Sequence, residues 1–168
     1  MKNSFSLGLL HDYIEQSIAQ ILEPFCQSDD TSQWKVEELS QYFQTSFDIT
    51  LNKDEVLSQD YLSLNEHFIG VVKKSYSEKT QSLDKEQLEK FQKTVILQTF
   101  DELWREHLTT LDSLRQNMRL QRYAQKDPKQ QYKHEAFSLF EKLMQKIALS
   151  ITQTFLKVRF YSQEQIDE

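Results

Sequence analysis

From about Leu83 to Arg119, the side chains Leu97, Phe100, Trp104, His107, Leu111, Leu114 and Met118 recur at alternating steps of three and four residues. A second stripe, Phe137, Phe140, Met144, Ile147, Ile151 and Val158, follows from about Pro128 to Val158. Such spacing matches the helical period, so each segment is expected to form one long helix with one apolar face. At about 1.5 Å per residue the first would reach roughly 55 Å, which is too long for a compact core helix alone. The two stripes can close on each other as an antiparallel pair. Asp127 before Pro128 suits the second start, an acidic cap ahead of a proline whose missing N–H is harmless in the first turn. The predicted shape is a rod turning back near Tyr123, whose tip, not a pocket, meets a partner.

The rest of the composition agrees with an all-α chain. Two Gly and two Pro in 168 residues leave few tight turns, and Gln, Leu, Glu, Lys and Ser are abundant. That length allows one domain with a real core, or two small helical units sharing a helix. The one cysteine, Cys26, can make no internal disulfide, which suits a reducing, cytosolic setting. No apolar run approaches the roughly 18 to 20 residues of a membrane span, and the start MKNSFSLGLL lacks the features of a signal peptide. Any membrane role is therefore expected to be peripheral.

Four further segments precede the rod. Leu7, Leu10, Ile14, Ile18, Ile21 and Phe25 give an amphipathic helix that Pro24 is expected to end. The polar stretch CQSDDTSQ is the clearest internal boundary, with Thr31 or Ser32 as a possible cap for the next helix. That helix runs from about Trp34 to Thr45, and FDITLNKDE reads as an extended connector. Short helices follow from about Asp54 and from Leu62 to Lys79, the latter with Leu64, Phe68, Val72 and Tyr76 on one stripe. The tail YSQEQIDE is polar.

Catalytic constellations are missing from the pattern. There is no HExxH, no paired CxxC and no second cysteine for a metal. No glycine pair can build a phosphate-binding loop. Carboxylate neighbours such as Asp101 with Glu102 point in different directions on a helix. His107 belongs to the heptad stripe, while His11, His67 and His134 read as surface or boundary residues. A net charge of −6 disfavours a general nucleic-acid binder. The charge is uneven, though: between Arg115 and Lys133 lie Arg115, Arg119, Arg122, Lys126, Lys129 and Lys133 against Asp127 alone.

The turn NMRLQRYAQKDPKQ admits two readings. Tyr123 with the flanking Arg and Gln side chains can form an adaptable tip for a polypeptide of any sequence, since an aromatic ring offers area at little entropy cost and amide or guanidinium groups bond exposed backbone. Equally, a helix hairpin needs a polar, basic turn for solubility, with Tyr123 simply capping the coiled coil. Residue chemistry alone favours the second.

The runs LWREHL, LDSLRQ and YAQKDPKQQYKHEAFSLF resemble the two-helix finger of SecA, the bacterial preprotein translocase motor family. Trp34, Leu39, Phe43, Phe47, Ile49 and Leu51 are similar to that family's wing pattern. The resemblance implies an all-α fold in which a helical wing of short helices and a long antiparallel two-helix finger pack on a scaffold helix. Its parts would be the end of the scaffold helix at 1–22, the wing at 23–81, the finger and scaffold continuation at 82–160, and a polar tail at 161–168. It also implies a fragment without the motor domains that use ATP and magnesium, so this chain itself would be non-catalytic and free of cofactors. Where the family usually has glycine, this chain has Asn117 and Arg122, which narrows the backbone choices at the turn.

The same resemblance implies contacts with unfolded preproteins, the SecY channel complex and the remaining SecA domains, at the cytoplasmic face of the bacterial inner membrane. The contacting fingertip would comprise Arg119, Gln121, Arg122, Tyr123, Gln125 and Lys126. The basic tip also suits anionic lipid headgroups, at about 1 kcal/mol per Lys or Arg near the surface. A free-standing coiled-coil adaptor binding another helical protein is the alternative, and an RNA-binding hairpin using Arg115 to Lys133 is a third.

Overall fold

A computed structural model describes residues 5–27, 30–120 and 127–160. The regular elements there are all helical: α1 (Phe5–Phe25), a 3-10 turn (Thr31–Gln33), α2 (Val36–Phe47), α3 (Lys53–Leu57), α4 (Tyr61–Lys79), α5 (Lys85–Leu120) and α6 (Pro128–Lys157). The all-α expectation holds, as does the pairing of α5 with α6.

Side-chain caps set most of the helix starts, because the first N–H groups of a helix have no partner within it. Asn52 accepts from the Asp54 N–H at 3.1 Å, and Asp60 accepts from that of Ser63 at 2.8 Å. At the head of α5 the exchange is reciprocal: Asp84 Oδ1 accepts from the Gln87 N–H at 2.8 Å, and Gln87 Oε1 accepts from the Asp84 N–H at 3.2 Å. Asp127 caps α6 as expected, accepting from Lys129 and Gln130 at 3.2 and 3.3 Å.

Three boundary expectations need correction. Thr31 and Ser32 do not cap α2. They belong to the 3-10 turn, in which Asp30 accepts from the Ser32 backbone and hydroxyl, and α2 begins beyond Lys35 without a side-chain cap. Trp34 therefore precedes α2, buried in the turn. Pro24 sits inside α1, one residue before its end, where its missing N–H costs one bond of the last turn. At the far end, α2 stops at Asp48, which adopts a left-handed conformation (φ 57°). That turn lets the Ile49 N–H reach back to the Phe43 carbonyl at 3.3 Å.

One apolar core joins α1, the shorter helices α2 to α4, and the neighbouring stretches of α5 and α6. α1 lies at its centre, packed on α2, α4, α5 and α6, with Leu10, Ile14 and Ile18 buried. Between α2 and α4 the Phe43 ring meets Phe68 at 4.7 Å, and within α2 it meets Phe47 at 5.2 Å. The expected stripe Leu64, Phe68, Val72 and Tyr76 is wholly buried. Tyr76 meets Phe155 at 5.4 Å edge-on, and Phe155 meets Phe91 at 5.3 Å, fastening α4, α5 and α6 together. Each such side chain contributes about 1.5–3 kcal/mol of burial free energy.

Several polar groups inside the core are paired, while Asn65 Oδ1 is buried without a partner. The Ser17 and Thr152 hydroxyls lie 3.0 Å apart between α1 and α6. Each also reaches its own helix, Ser17 to the Tyr13 carbonyl at 2.7 Å and Thr152 to that of Ala148 at 2.9 Å. Two protons thus serve three possible bonds. The Tyr76 hydroxyl accepts from Gln92 Nε2 at 2.9 Å, and burial pushes its pKa up to about 12. Burial likewise pushes the Cys26 thiol up to about 11, which suppresses the thiolate.

The inward face of the long pair differs in part from the expected stripes. On α5 the buried residues include Ile96, Leu103, His107 and Met118, while Leu97 and Trp104 are 69% and 44% exposed. On α6, Leu143, Ile147, Ile151 and Phe155 are buried, and Phe137 and Phe140 stand out at 62% and 42%. His107, Met118, Ile147 and Ile151 of the expected stripes are buried, and at Ile96–Leu97 and Leu103–Trp104, where two apolar residues stand about 100° apart, packing encloses the first of each pair.

Candidate functional site: the two-helix finger

α5 is 36 residues long, roughly 54 Å, and α6 has 30. Their core-joined ends are dense, and the described distal turns carry half-buried residues such as Leu111, Leu114 and Leu139, with Met118 buried among them. Lys146 Nζ and Glu106 bridge the two helices at 2.8 Å. Both are more than half exposed, so the pair contributes little beyond register.

The two flanks of this hairpin are chemically different. On one, Thr110, Ser113, Asn117, Ser138 and Lys142 rim a cleft of about 330 Å³ over Leu114 and Leu139. A smaller hollow of about 140 Å³ adjoins it beside His107, Glu106 and Lys146. On the other flank, His107 is buried beneath Trp104 and Phe140, with ring centroids 5.4 and 6.3 Å away. Small hydroxyls and one ion pair offer no nucleophile–base pair and no converging ligand set, so the arrangement is suited to contact rather than to bond-making. Among the described residues no group of three or more His, Cys, Asp or Glu is placed to hold a metal. None of their helices is long and apolar enough to cross a membrane.

Toward the tip, Arg115 and Arg119 on α5 and Lys129 and Lys133 on α6 are all exposed. The carboxylate of Asp127 is occupied as the α6 cap. Of the expected fingertip set, Arg119 occupies the last turn of α5; Gln121, Arg122, Tyr123, Gln125 and Lys126 lie outside the described residues. Asn117 is inside α5, exposed on the rim of the cleft. Sequence reasoning missed the cleft, whose signal is the run of small polar residues Thr110, Ser113 and Asn117 at helical spacing beside the apolar stripe.

A central helix packed against shorter helices and a long two-helix hairpin defines a helical scaffold unit. The chain belongs to the SecA family: residues 6–159 match the family described as the SecA Wing and Scaffold domain. Among curated proteins it is similar to the protein translocase subunit SecA of Paraburkholderia phymatum, 35% identical over 140 residues, which is 81% of this chain and 15% of that protein. The chain thus spans a small part of the length of this relative.

Proposed function

We propose that this chain is the non-catalytic scaffold and wing of a SecA translocase, and that its finger contacts preprotein and the SecY channel during protein export. The observation that carries the reading is the finger itself: a hairpin whose distal turns leave the common core and carry exposed Arg115, Arg119, Lys129 and Lys133 at the end. A long rigid lever with an adaptable tip suits a polypeptide that presents every sequence in turn, because recognition then rests on backbone bonding and aromatic area rather than on a shaped pocket. ATP hydrolysis, with its magnesium, belongs in this reading to motor domains elsewhere in the full-length protein. α1 would pass their movement to the finger through its contacts with both α5 and α6. The unit would act at the cytoplasmic face of the inner membrane, where the basic tip also suits anionic headgroups.

The test is Tyr123→Ala in the full-length SecA protein that carries this unit. Preprotein translocation into membrane vesicles should fall severalfold or more, with basal ATP turnover nearly unchanged. Equal loss of both activities would overturn the division of labour between tip and motor.

A further inference from the structure

Two hydroxyls meet in the seam between α1 and α6, and the hydrogen-bonding groups they touch all belong to this chain. Ser17 and Thr152 are both fully enclosed, with their oxygens 3.0 Å apart. Around them Ile14, Ile18, Ile147, Ala148 and Ile151 are buried in the same core. Each hydroxyl also has an acceptor on its own helix, the Tyr13 carbonyl 2.7 Å from Ser17 and the Ala148 carbonyl 2.9 Å from Thr152. When Ser17 donates across the seam, Thr152 donates to Ala148; when Thr152 donates across it, Ser17 donates to Tyr13. Either arrangement makes two hydrogen bonds. With no bond across the seam, both hydroxyls donate to their own carbonyls, and two bonds are again made. Parting a buried polar pair ordinarily strands a donor, which then bears its whole desolvation cost. Here none is stranded.

We propose that Ser17 and Thr152 form a releasable catch, a bond that holds one register of α1 on α6 and is given up without net loss of hydrogen bonds, so that the two helices can shift against each other. The rest of the seam offers little directed resistance. Among the described residues, the other directed bond between α1 and α6 runs from Gln20 Nε2 to the Gln145 carbonyl at 3.4 Å, where it is exposed and water can replace it. Glu15 of α1 pairs instead with Lys73 of α4 at 3.1 Å. The far end of α6 is tied to other helices: Gln153 donates to the Tyr42 hydroxyl, Lys79 to the Leu156 carbonyl, and Arg159 pairs with Asp48. Both helices are therefore anchored elsewhere, while apolar contacts and the catch lie between them. Apolar contacts are non-directional, and helices packed through them shear by small steps.

A double-mutant cycle on the 168-residue chain tests the catch. Ser17→Ala and Thr152→Val each leave the other hydroxyl on its own carbonyl. In urea unfolding, each single change should move the folding constant by less than about threefold, and the double change should equal their product. In the parent chain, methyl relaxation dispersion at Thr152, Ile18 and Ile151 should show exchange on the microsecond-to-millisecond scale. Thr152→Val should remove that exchange from Ile18 and Ile151, and Thr152→Ser, which keeps the hydroxyl, should retain it. A coupling of about tenfold or more between the two positions would mean a fixed latch and overturns the proposal. So does a single variant that no longer folds, because the bond could then not be given up. A parent seam without exchange, or exchange that persists in Thr152→Val, overturns it as well.

Discussion

The base of the molecule and the distal finger are built from the same two helices under different rules. At the base, α5 and α6 share a core with α1 and the wing, and Phe43, Phe68, Ile147 and Ile151 are fully enclosed. Beyond His107, Met118 is the one buried residue left on α5, and the described part of α6 ahead of Leu143 holds none. The base is therefore held by many mutually dependent contacts, the distal turns by a two-helix seam alone. Cooperative stability and exposure to partners are divided along one rod, and the distal end is expected to open locally at lower free-energy cost than the base.

The largest effect should come from breaking the base. Phe43→Ala removes a ring packed on Phe47 and Phe68 and should cost about 3–5 kcal/mol by urea unfolding. Leu114→Ala, in the seam, should cost about 1–2 kcal/mol, since the site is already half open. Equal losses would show that the finger and base form one uniform cooperative unit.

A smaller effect sharpens the contrast through pH. Tyr76 has its ionisation raised from 10.0 to about 12 by burial, so the neutral hydroxyl is favoured in the folded state. Its contribution is present below pH 10 and is lost as pH rises toward 12. Tyr76→Phe should cost about 1–2 kcal/mol at neutral pH, because the acceptor for Gln92 is gone. Thermal melts between neutral and strongly alkaline pH should then fall less steeply for the variant than for the parent; parallel curves would mean that alkaline loss arises elsewhere.

The smallest expected effect lies at the finger. Asp127→Ala removes the cap from Lys129 and Gln130 and should cost about 1 kcal/mol of local stability. Hydrogen exchange should quicken at those two amides while Phe155 and Tyr76 remain as protected as before. A general rise in exchange would tie the tip to the base more tightly than the seam implies.

Periodicity was legible wherever one stripe was apolar and its neighbours were not. Beside Leu64, Phe68, Val72 and Tyr76 stand only the isolated apolar neighbours Ile69 and Val71, on opposite sides, so no second stripe forms, and all four are buried. The long helices were harder to read because Leu97, Trp104, Phe137 and Phe140 each adjoin or stand near another apolar residue, so two faces satisfied the same pattern. Cap chemistry divided in the same way. Asp127 ahead of Pro128 was visible, but the 3-10 turn that displaced Thr31 and Ser32 depends on Asp30 folding back on Ser32. Of the candidate tip, composition and charge were readable, whereas the polar cleft required knowing which sides of α5 and α6 face each other.

Local chemistry by itself determined that this chain is helical, that two of its helices are long and antiparallel, and that their far end is basic. Those properties rest on helical period, sparse glycine and proline, and charge order, all of which act between near neighbours. Tertiary structure alone decided which of two apolar stripes is enclosed. Burial is a property of the whole assembly: α1 and the wing cover one side of the α5–α6 base, and the side left uncovered carries Trp104 and Phe140.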